Sequence, residues 1–218
     1  MTKRQEFRVI RTYDGFELRE YAPCVIAEVR VAAEYSTATS AAFGSLFKYI
    51  SQGNKASQKI SMTAPVIAAQ RENNSDASEW YVSFVMPAGS TFTDMPDPND
   101  SRVTLHDLGK EICVATSFRG RATEELSAKK VIQLRSAAAR ENIALLEEMR
   151  ICRFDPPFKP GIIQYNEIVI PTSWPGIYQT ASMQMDNMVW YHFNKEKWIG
   201  KKINPVDFAT GPIFVTQR

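Results

Sequence analysis

Two phenylalanines and a lysine in the segment FGSLFKYI have the types and spacing to bind a ligand. Phe43 and Phe47 are four positions apart, so on an α-helix their rings stand one turn apart on one face. Lys48 follows directly and adds a cation at the edge of that face. An open apolar surface with an ammonium group at its margin suits a flat ligand with an anionic edge. Aromatic side chains at helical spacing more often fill a core, so the residues alone leave both interpretations open.

A second cation lies in the loop DPPFKP, residues 155–160, which follows a predicted strand. Its three prolines stiffen the chain and hold Phe158 and Lys159 at the end of the predicted sheet. Together with Lys48, Lys159 could clamp a ligand that carries two negative charges. The alternative is a rigid connection that binds nothing.

The signals for catalysis are weak. The chain has no GxSxG, HExxH, Walker or GxGxxG motif, and no cysteine–histidine cluster suggests zinc. Neither His106 nor His192 belongs to a motif. His192 lies in the aromatic run WYHF, where an imidazole could ligate a metal, although a histidine without a ligand role is the commoner case. The residues therefore favour binding over catalysis.

The element that carries the two phenylalanines is predicted to be a helix from about Thr37, capped at Ser36 or Thr37 and ended by Gly53-Asn54. At 100° per residue its apolar arc is roughly 160° wide, whereas docking on a sheet needs roughly 100°. Phe43 and Phe47 lie at one margin of that arc, beside polar residues. The arc consists of Ala42, Phe43, Leu46, Phe47, Tyr49 and Ile50.

Around this helix the sequence predicts a first group of strands. A hairpin turns at Asp14-Gly15, and strands follow at 24–32, 60–68 and 80–87. Pro65 cannot donate a hydrogen bond to a neighbouring strand. The strand 60–68 is therefore expected at a sheet edge or at the start of a bend.

A second copy of the same plan follows the Pro- and Asp-rich connection 87–101. It comprises a hairpin of 102–108 and 111–118, a helix that begins near Thr123, and strands at 151–154 and 165–171. Two such ββαββ units predict an α+β fold in which an antiparallel sheet carries one helix per unit.

Charge and cysteine content exclude several classes of protein. A formal net charge of +2 gives no electrostatic basis for nucleic-acid binding. The three cysteines are widely spaced, which argues against a disulfide framework and for a reducing compartment. The N-terminus lacks an apolar signal region, and no run approaches about 18 apolar residues. We therefore expect a cytoplasmic protein without a membrane span.

The chain is expected to comprise a domain at 1–171 and a C-terminal extension at 172–218. The extension is rich in aromatic residues, which is not the composition of a disordered tail. Strands are predicted at 188–193 and 212–217. Such a segment should cover apolar surface on its own domain or on a partner chain, which allows a homodimer.

The segments KYISQGNKASQKISMTAPV, WYVSFVMPAG, VTLHDL, EICVATSFRGRAT, RFDPPFKP and YNEIVI closely resemble the SOUL / haem-binding protein family. The matches occur in order from about residue 6 to residue 171, and the extension lies outside them. The resemblance implies two similar halves that form a distorted eight-stranded antiparallel sheet or barrel with two long helices.

The resemblance also implies that haem, or another tetrapyrrole, lies in an apolar cleft beside the first helix. The residues that correspond to the family's haem-contacting positions are Ser40, Phe43, Phe47, Lys48 and Lys159. Ser40 replaces an arginine of haem-binding members, which removes one propionate partner, and Phe43 replaces a methionine. The first helix has no histidine to act as an axial ligand. His192, in the aromatic run of the extension, is the candidate metal ligand.

Three functions follow as expectations. The favoured one is a haem or porphyrin binding protein that acts as a buffer, carrier or sensor. The second is a small-molecule-binding or hydrolytic enzyme of the related gyrase-inhibitor-like fold class, which a buried glutamate in the cleft would favour. The third is an interaction module that uses the C-terminal extension.

Overall fold

The computed structural model describes residues 3–70 and 79–173 with their side chains, and the backbone of residues 191–194 and 197–200. The chain divides into two compact units, Met1–Pro175 and Gly176–Arg218.

The described part of the first unit contains two α-helices and eleven strands. The helices are α1, Tyr35–Ile50, and α2, Glu124–Arg140. The strands are β1 Lys3–Arg4, β2 Phe7–Tyr13, β3 Phe16–Tyr21, β4 Cys24–Ala32, β5 Thr63–Ala64, β6 Val66–Gln70, β7 Glu79–Val85, β8 Val103–Leu108, β9 Glu111–Arg119, β10 Met149–Arg153 and β11 Tyr165–Pro171.

Nine of these strands form one antiparallel sheet in the order β2-β3-β9-β11-β10-β6-β7-β4-β8. Eight of them fall into two sets of the same order, β3-β9-β11-β10 and β8-β4-β7-β6, which meet at the β10–β6 pair. The α+β class and the two similar halves are thus confirmed. The ninth strand is β2, which pairs with β3 through the predicted turn at Asp14-Gly15.

The hairpin predicted around Gly109-Lys110 is wrong. β8 pairs with β4, whereas β9 pairs with β3 and β11. Each half therefore takes its outer strand from the other half's stretch of sequence. A short link between two strands of alternating apolar and polar residues favours a hairpin. Here each strand pairs instead with the strand edge that lies next to it in the folded sheet.

This exchange of strands requires a curled sheet. Ala22 and Pro23 alone connect β3 to β4, although five strands lie between these two in the sheet order. In a flat sheet the two strands would be about 29 Å apart, whereas three Cα–Cα steps span at most about 11 Å. The sheet curls into a half-barrel, which brings its outer strands together.

The helices cover one face of the sheet. α1 packs on β4 and β7, and α2 packs on β9 and β11. At the start of α1, the Tyr35 hydroxyl donates to the carbonyl of Ala122, just before α2, at 2.8 Å. On the opposite face of the sheet, strand residues form an apolar cluster that includes Tyr21, Ile67 and Cys152. Helix-side and opposite-side residues alternate along each strand, as a two-sided sheet requires.

The ends of α1 differ in part from the prediction. The helix begins at Tyr35, and its N-cap is Glu34, which makes no side-chain capping bond, so the predicted cap at Ser36 or Thr37 is wrong. At the other end, the Gly53 amide donates to the Lys48 carbonyl at 2.7 Å. The predicted start of α2 is confirmed, because the Thr123 hydroxyl accepts from the Leu126 amide at 3.3 Å.

The strand predicted at 60–68 begins later and is interrupted at Pro65. β6, which follows, lies between β10 and β7 in the interior of the sheet, so of the two expected positions the sheet edge is wrong for β6.

In the second unit, strands β12, Tyr191–Asn194, and β13, Lys197–Gly200, form an antiparallel pair. β12 overlaps the strand predicted at 188–193. The strand predicted at 212–217, the polar loop at 71–78 and the aromatic side chains of the extension lie outside the described residues. Among the helices that are described, none is long and apolar enough to cross a membrane.

Two glycines near α1 should respond in opposite ways to alanine. A Cβ at Gly53 would lie 2.5 Å from the Lys48 carbonyl oxygen, so Gly53→Ala should destabilise the fold by about 1–3 kcal/mol. A Cβ at Gly44, inside the helix, would meet nothing within 4 Å, so Gly44→Ala should stabilise it by about 0.5–1 kcal/mol. Urea unfolding followed by circular dichroism measures both. Shifts of the same sign would contradict the geometry.

Candidate functional site

The margin of α1 that carries Phe43 and Phe47 stays partly uncovered by the sheet. Phe43 is half-buried and meets the ring of Phe84 on β7 edge to face, with centroids 5.4 Å apart. Phe47 stacks on Phe43 at 5.8 Å and is 48 % exposed. One ring is therefore anchored in the core, and the second extends the apolar surface into solvent. We call this surface the α1 flank.

Arg153, the last residue of β10, lies next to the same side of α1. Its Nη1 donates to the Thr39 hydroxyl at 2.7 Å, and its guanidinium lies 5.5 Å from the centroid of the Tyr35 ring. On the helical wheel Thr39 lies at the margin of the buried arc. Phe43 is 40° further round the helix, and Phe47 is another 40° beyond Phe43. The end of β10 therefore contacts α1 at Thr39, about one turn before Phe43.

Arg153 belongs to none of the motifs that the sequence offers as a ligand site. Its side chain is half-buried, and no carboxylate within the described residues forms an ion pair with it. Such a guanidinium can accept an anionic ligand at low cost. The sequence did contain a signal for the position of Arg153. Side chains alternate along a strand, so Arg153 lies on the same face of the sheet as Ile151, which is the helix side.

Ser40 and Lys48 are both exposed on α1. Ser40 precedes Phe43 by three positions and therefore lies on the flank. Lys48 is in the last turn of the helix, where its charge is favourable to the helix dipole. Within the described part of the chain, no carboxylate forms an ion pair with Lys48.

Lys159 is held within its own loop. Its ammonium group pairs with Asp155 at 2.8 Å, and the Asp155 carboxylate also accepts the Tyr165 amide at 2.7 Å. The hydrogen bond from Lys159 is the main reason that the pKa of Asp155 is lowered. Phe158, at the tip of the loop, is 87 % exposed. A ligand that recruits Lys159 must therefore compete with Asp155.

The structure brings four of the predicted site residues together on one helix. No described contact joins Lys48 to Lys159, so the two-lysine clamp stays a prediction. His192 is in β12, and its side chain lies outside the described residues. In the described residues, no group of three or more histidine, cysteine or acidic side chains could hold a metal ion.

The opposite face of the sheet carries buried ion pairs. Glu167 on β11, 3 % exposed, accepts from Arg19 at 2.8 Å and 3.3 Å and from the Tyr165 hydroxyl at 2.5 Å. Arg150 donates to both oxygens of Glu111, at 2.6 Å and 2.9 Å. Among the described residues, Glu167 is one of three buried glutamates that a hydrolytic enzyme could use, with Glu28 and Glu79. Its carboxylate is already paired with Arg19.

The thiols are equally unsuited to catalysis. Burial raises the pKa of Cys24 to about 11 and that of Cys113 to about 12. Both therefore stay protonated at neutral pH. The nucleophile is the thiolate, which these two cysteines do not supply at that pH.

Comparison with known families decides where the chain belongs. The model of the SOUL heme-binding protein family matches residues 2–171, which contain the whole nine-stranded sheet and both helices. The chain belongs to the SOUL heme-binding protein family. The expected resemblance is therefore confirmed over the extent that the sequence segments indicated, and the extension lies beyond the match.

One relative by sequence and two solved structures are similar to this chain. "Heme-binding protein 1" of Xenopus laevis is 26 % identical over 148 residues, which are 67 % of this chain and 78 % of that protein. Among solved structures, the C-terminal domain of EcmrR matches 72 % of this chain and 96 % of its own, with a TM-score of 0.57 and 12 % identity. An uncharacterized conserved protein from Listeria innocua covers 79 % of this chain and 93 % of its own, with a TM-score of 0.51 and 13 % identity. The two structures share the fold of this SOUL protein, and at such identity they show the fold alone.

The ion pair in the DPPFKP loop of this SOUL protein predicts a titration. Lys159→Met should raise the pKa of Asp155 toward its ordinary value of about 4, because the main cause of its lowering is removed. In the unchanged protein the pair persists above about pH 4 and is lost only as the pH falls through the lowered value. Carbon-13 NMR of the aspartate carboxyl groups measures the shift.

Lys48→Met is the matched control and should leave the pKa of Asp155 unchanged. An unchanged Asp155 pKa in Lys159→Met would contradict the ion pair.

Proposed function

We propose that this protein binds haem, or another tetrapyrrole, on the α1 flank, and that it serves as an intracellular haem buffer, carrier or sensor. Membership of the SOUL family gives the ligand class. The observation that supports the location is the stacked pair Phe43–Phe47, with one ring 48 % exposed, on the helix whose Thr39, one turn before Phe43, accepts from a half-buried guanidinium.

The apolar part of the affinity comes from the rings. A porphyrin plane laid against Phe47 removes apolar surface on both partners from water, worth about 25 cal/mol per Å² before the cost of association. Phe43 holds Phe47 in place by stacking, and Phe84 in turn holds Phe43. The platform is thus largely preorganised, which lowers the entropic cost of binding.

The cations orient the propionates. Arg153 is the first candidate, since its planar guanidinium can donate two parallel hydrogen bonds to a carboxylate and at present donates to the neutral Thr39 hydroxyl. Lys48, in the last turn of α1, is the proposed partner of a second propionate. Lys159 would join only if Asp155 releases it, so its contribution should be smaller than that of Arg153.

The iron ligand is the least constrained part of the proposal. On α1 the flank offers rings and a serine, none of which is a ligand that haem iron prefers. His192 of the C-terminal extension is the proposed axial ligand. If the contacts of the macrocycle alone supply the affinity, tetrapyrrole binding does not need His192.

The hydrolytic alternative has less support. Glu167 is neutralised by Arg19, and the described thiols have raised pKa values or are buried. The interaction-module alternative, including a homodimer through residues 172–218, concerns residues that are mostly outside the described part, and it stays a prediction of the sequence.

Hemin titration of variants tests the α1 flank. Phe47→Asp should weaken hemin binding at least about tenfold, because it removes apolar contact and repels the propionates. Arg153→Met should weaken it by about tenfold, the scale of one lost charge-assisted hydrogen bond. Growth of the Soret band with added hemin gives the dissociation constants.

Phe92→Asp is the matched control for Phe47, since Phe92 is also 48 % exposed. Its segment contacts α1 from the other side, where the Tyr49 hydroxyl donates to the Pro96 carbonyl. It should bind hemin as the unchanged protein does. If the unchanged protein does not saturate near one equivalent of hemin, the proposal of haem binding is wrong. If Phe47→Asp and Phe92→Asp lose the same hemin affinity, the proposed location on the α1 flank is wrong.

The axial ligand has its own test. His192→Ala should shift the Soret band of bound hemin while leaving the affinity for iron-free protoporphyrin IX unchanged, because only the iron–nitrogen bond is lost. His106→Ala, the other histidine, is the control and should change neither. An unchanged hemin spectrum in His192→Ala would reject the ligand role and leave the rest of the proposal intact.

A further inference from the structure

The N-terminal strand β1 places an arginine on the face of the sheet opposite the helices. β1 runs parallel to β5, with Arg4 opposite Ala64, and the Gln5 amide donates to the Ala64 carbonyl at 2.9 Å. These backbone contacts fix where the Arg4 side chain begins. They do not by themselves explain where its guanidinium goes.

The guanidinium of Arg4 lies in a corner formed by two aromatic rings. Its central carbon is 4.7 Å from the Phe154 centroid and 5.2 Å from the Tyr165 centroid. The two rings are 5.3 Å apart and inclined at 62°, so both turn toward the same cation. Among the described residues, no carboxylate pairs with Arg4. We call this arrangement the aromatic corner.

A small cavity of about 20 Å³ lies beside the corner, enough for about one water molecule. Arg4 and Phe154 line it, and so does the buried Glu167, whose carboxylate is bonded to the Tyr165 hydroxyl of the same corner. The Arg4 side chain therefore occupies space that would otherwise enlarge this cavity.

The charge around the cavity favours a cation. Leaving Arg4 aside, two separate ion-pair groups approach the cavity, each with one guanidinium and two carboxylates, and of their six side chains Arg150 and Glu167 line it. One group is Arg19 with Glu17 and Glu167, and the other is Arg150 with Glu111 and Glu148. Arg119 approaches Tyr165 at 5.5 Å but donates to the Ile163 carbonyl. An excess of carboxylates behind two ring faces attracts a positive group.

We propose that the aromatic corner is a binding site for a small organic cation with a flat, delocalised charge, such as an aryl amidinium or guanidinium group. Arg4 is its internal occupant, and a ligand takes its place. The site is on the opposite face of the sheet from the α1 flank, so it does not depend on haem binding.

The shape of the occupied corner narrows the ligand class. A planar, weakly hydrated cation stacks on ring faces at low desolvation cost, as the Arg4 guanidinium does. A compact ammonium ion is more strongly hydrated and gains less from two rings. A neutral group of the same shape gains the stacking but not the attraction of the carboxylates.

The internal occupant should mask the site, because a ligand binds only the fraction of molecules from which Arg4 has left. Benzamidinium is a suitable probe, and benzamide is its neutral counterpart of nearly the same shape. In the full chain, Arg4→Ala should bind benzamidinium at least about tenfold more tightly than the unchanged protein, with benzamide bound much more weakly. Calorimetry or ligand-observed NMR measures both.

Arg11→Ala is the matched control, since Arg11 also stacks on a ring, Tyr13, at 4.8 Å but does not line the cavity. It should leave benzamidinium binding at the level of the unchanged protein. In the Arg4→Ala background, Phe154→Leu should remove most of the gain while keeping the ion pairs intact.

No gain in Arg4→Ala, an equal gain in Arg11→Ala, or equal binding of benzamide would each overturn the proposal. Hemin binding should be the same in Arg4→Ala as in the unchanged protein, so this site and the α1 flank can fail separately.

Discussion

The two-residue links between β3 and β4 and between β8 and β9 are the constraint on which the structure depends. Each link joins strands that do not pair with each other, so the sheet must curl until its distant strands meet. Curling gives the sheet one face that two helices can cover and one that encloses polar side chains. The two halves then share their outer strands, and neither half can complete its sheet alone.

The face of the sheet opposite the helices buries charged side chains. Removing these charges from water is unfavourable, and their ion pairs offset that cost. Arg19 with Glu167 and Arg150 with Glu111 are bonded in pairs, and removing one partner would leave a buried charge without compensation. Such pairs rarely add stability over an apolar core. Each joins two strands on either side of a shared neighbour, which is β9 for Arg19–Glu167 and β11 for Arg150–Glu111. They also create the field in which Arg4 settles between two rings.

The covered face leaves a different opening. α1 presents more apolar surface than two strands can cover, because its arc is roughly 160° wide. Leu46 and Tyr49 fill the core, and the remaining surface, Phe47 above all, faces water. The same helix thus contributes to stability through one side and to the proposed ligand platform through the other.

The sequence alone determined the local elements: the turn at Asp14-Gly15 and both helices follow from residue type and period, whereas the exposure of Phe47 became clear only in the structure. It also determined the family, because the motifs around Met62 and Pro156 are specific. The tertiary structure decided the partners of β8 and β9, since short-range patterns do not encode which distant edge a strand meets. It likewise decided the positions of Arg153 and Arg4, whose neighbours are far away in the chain and are brought close only by the curl of the sheet.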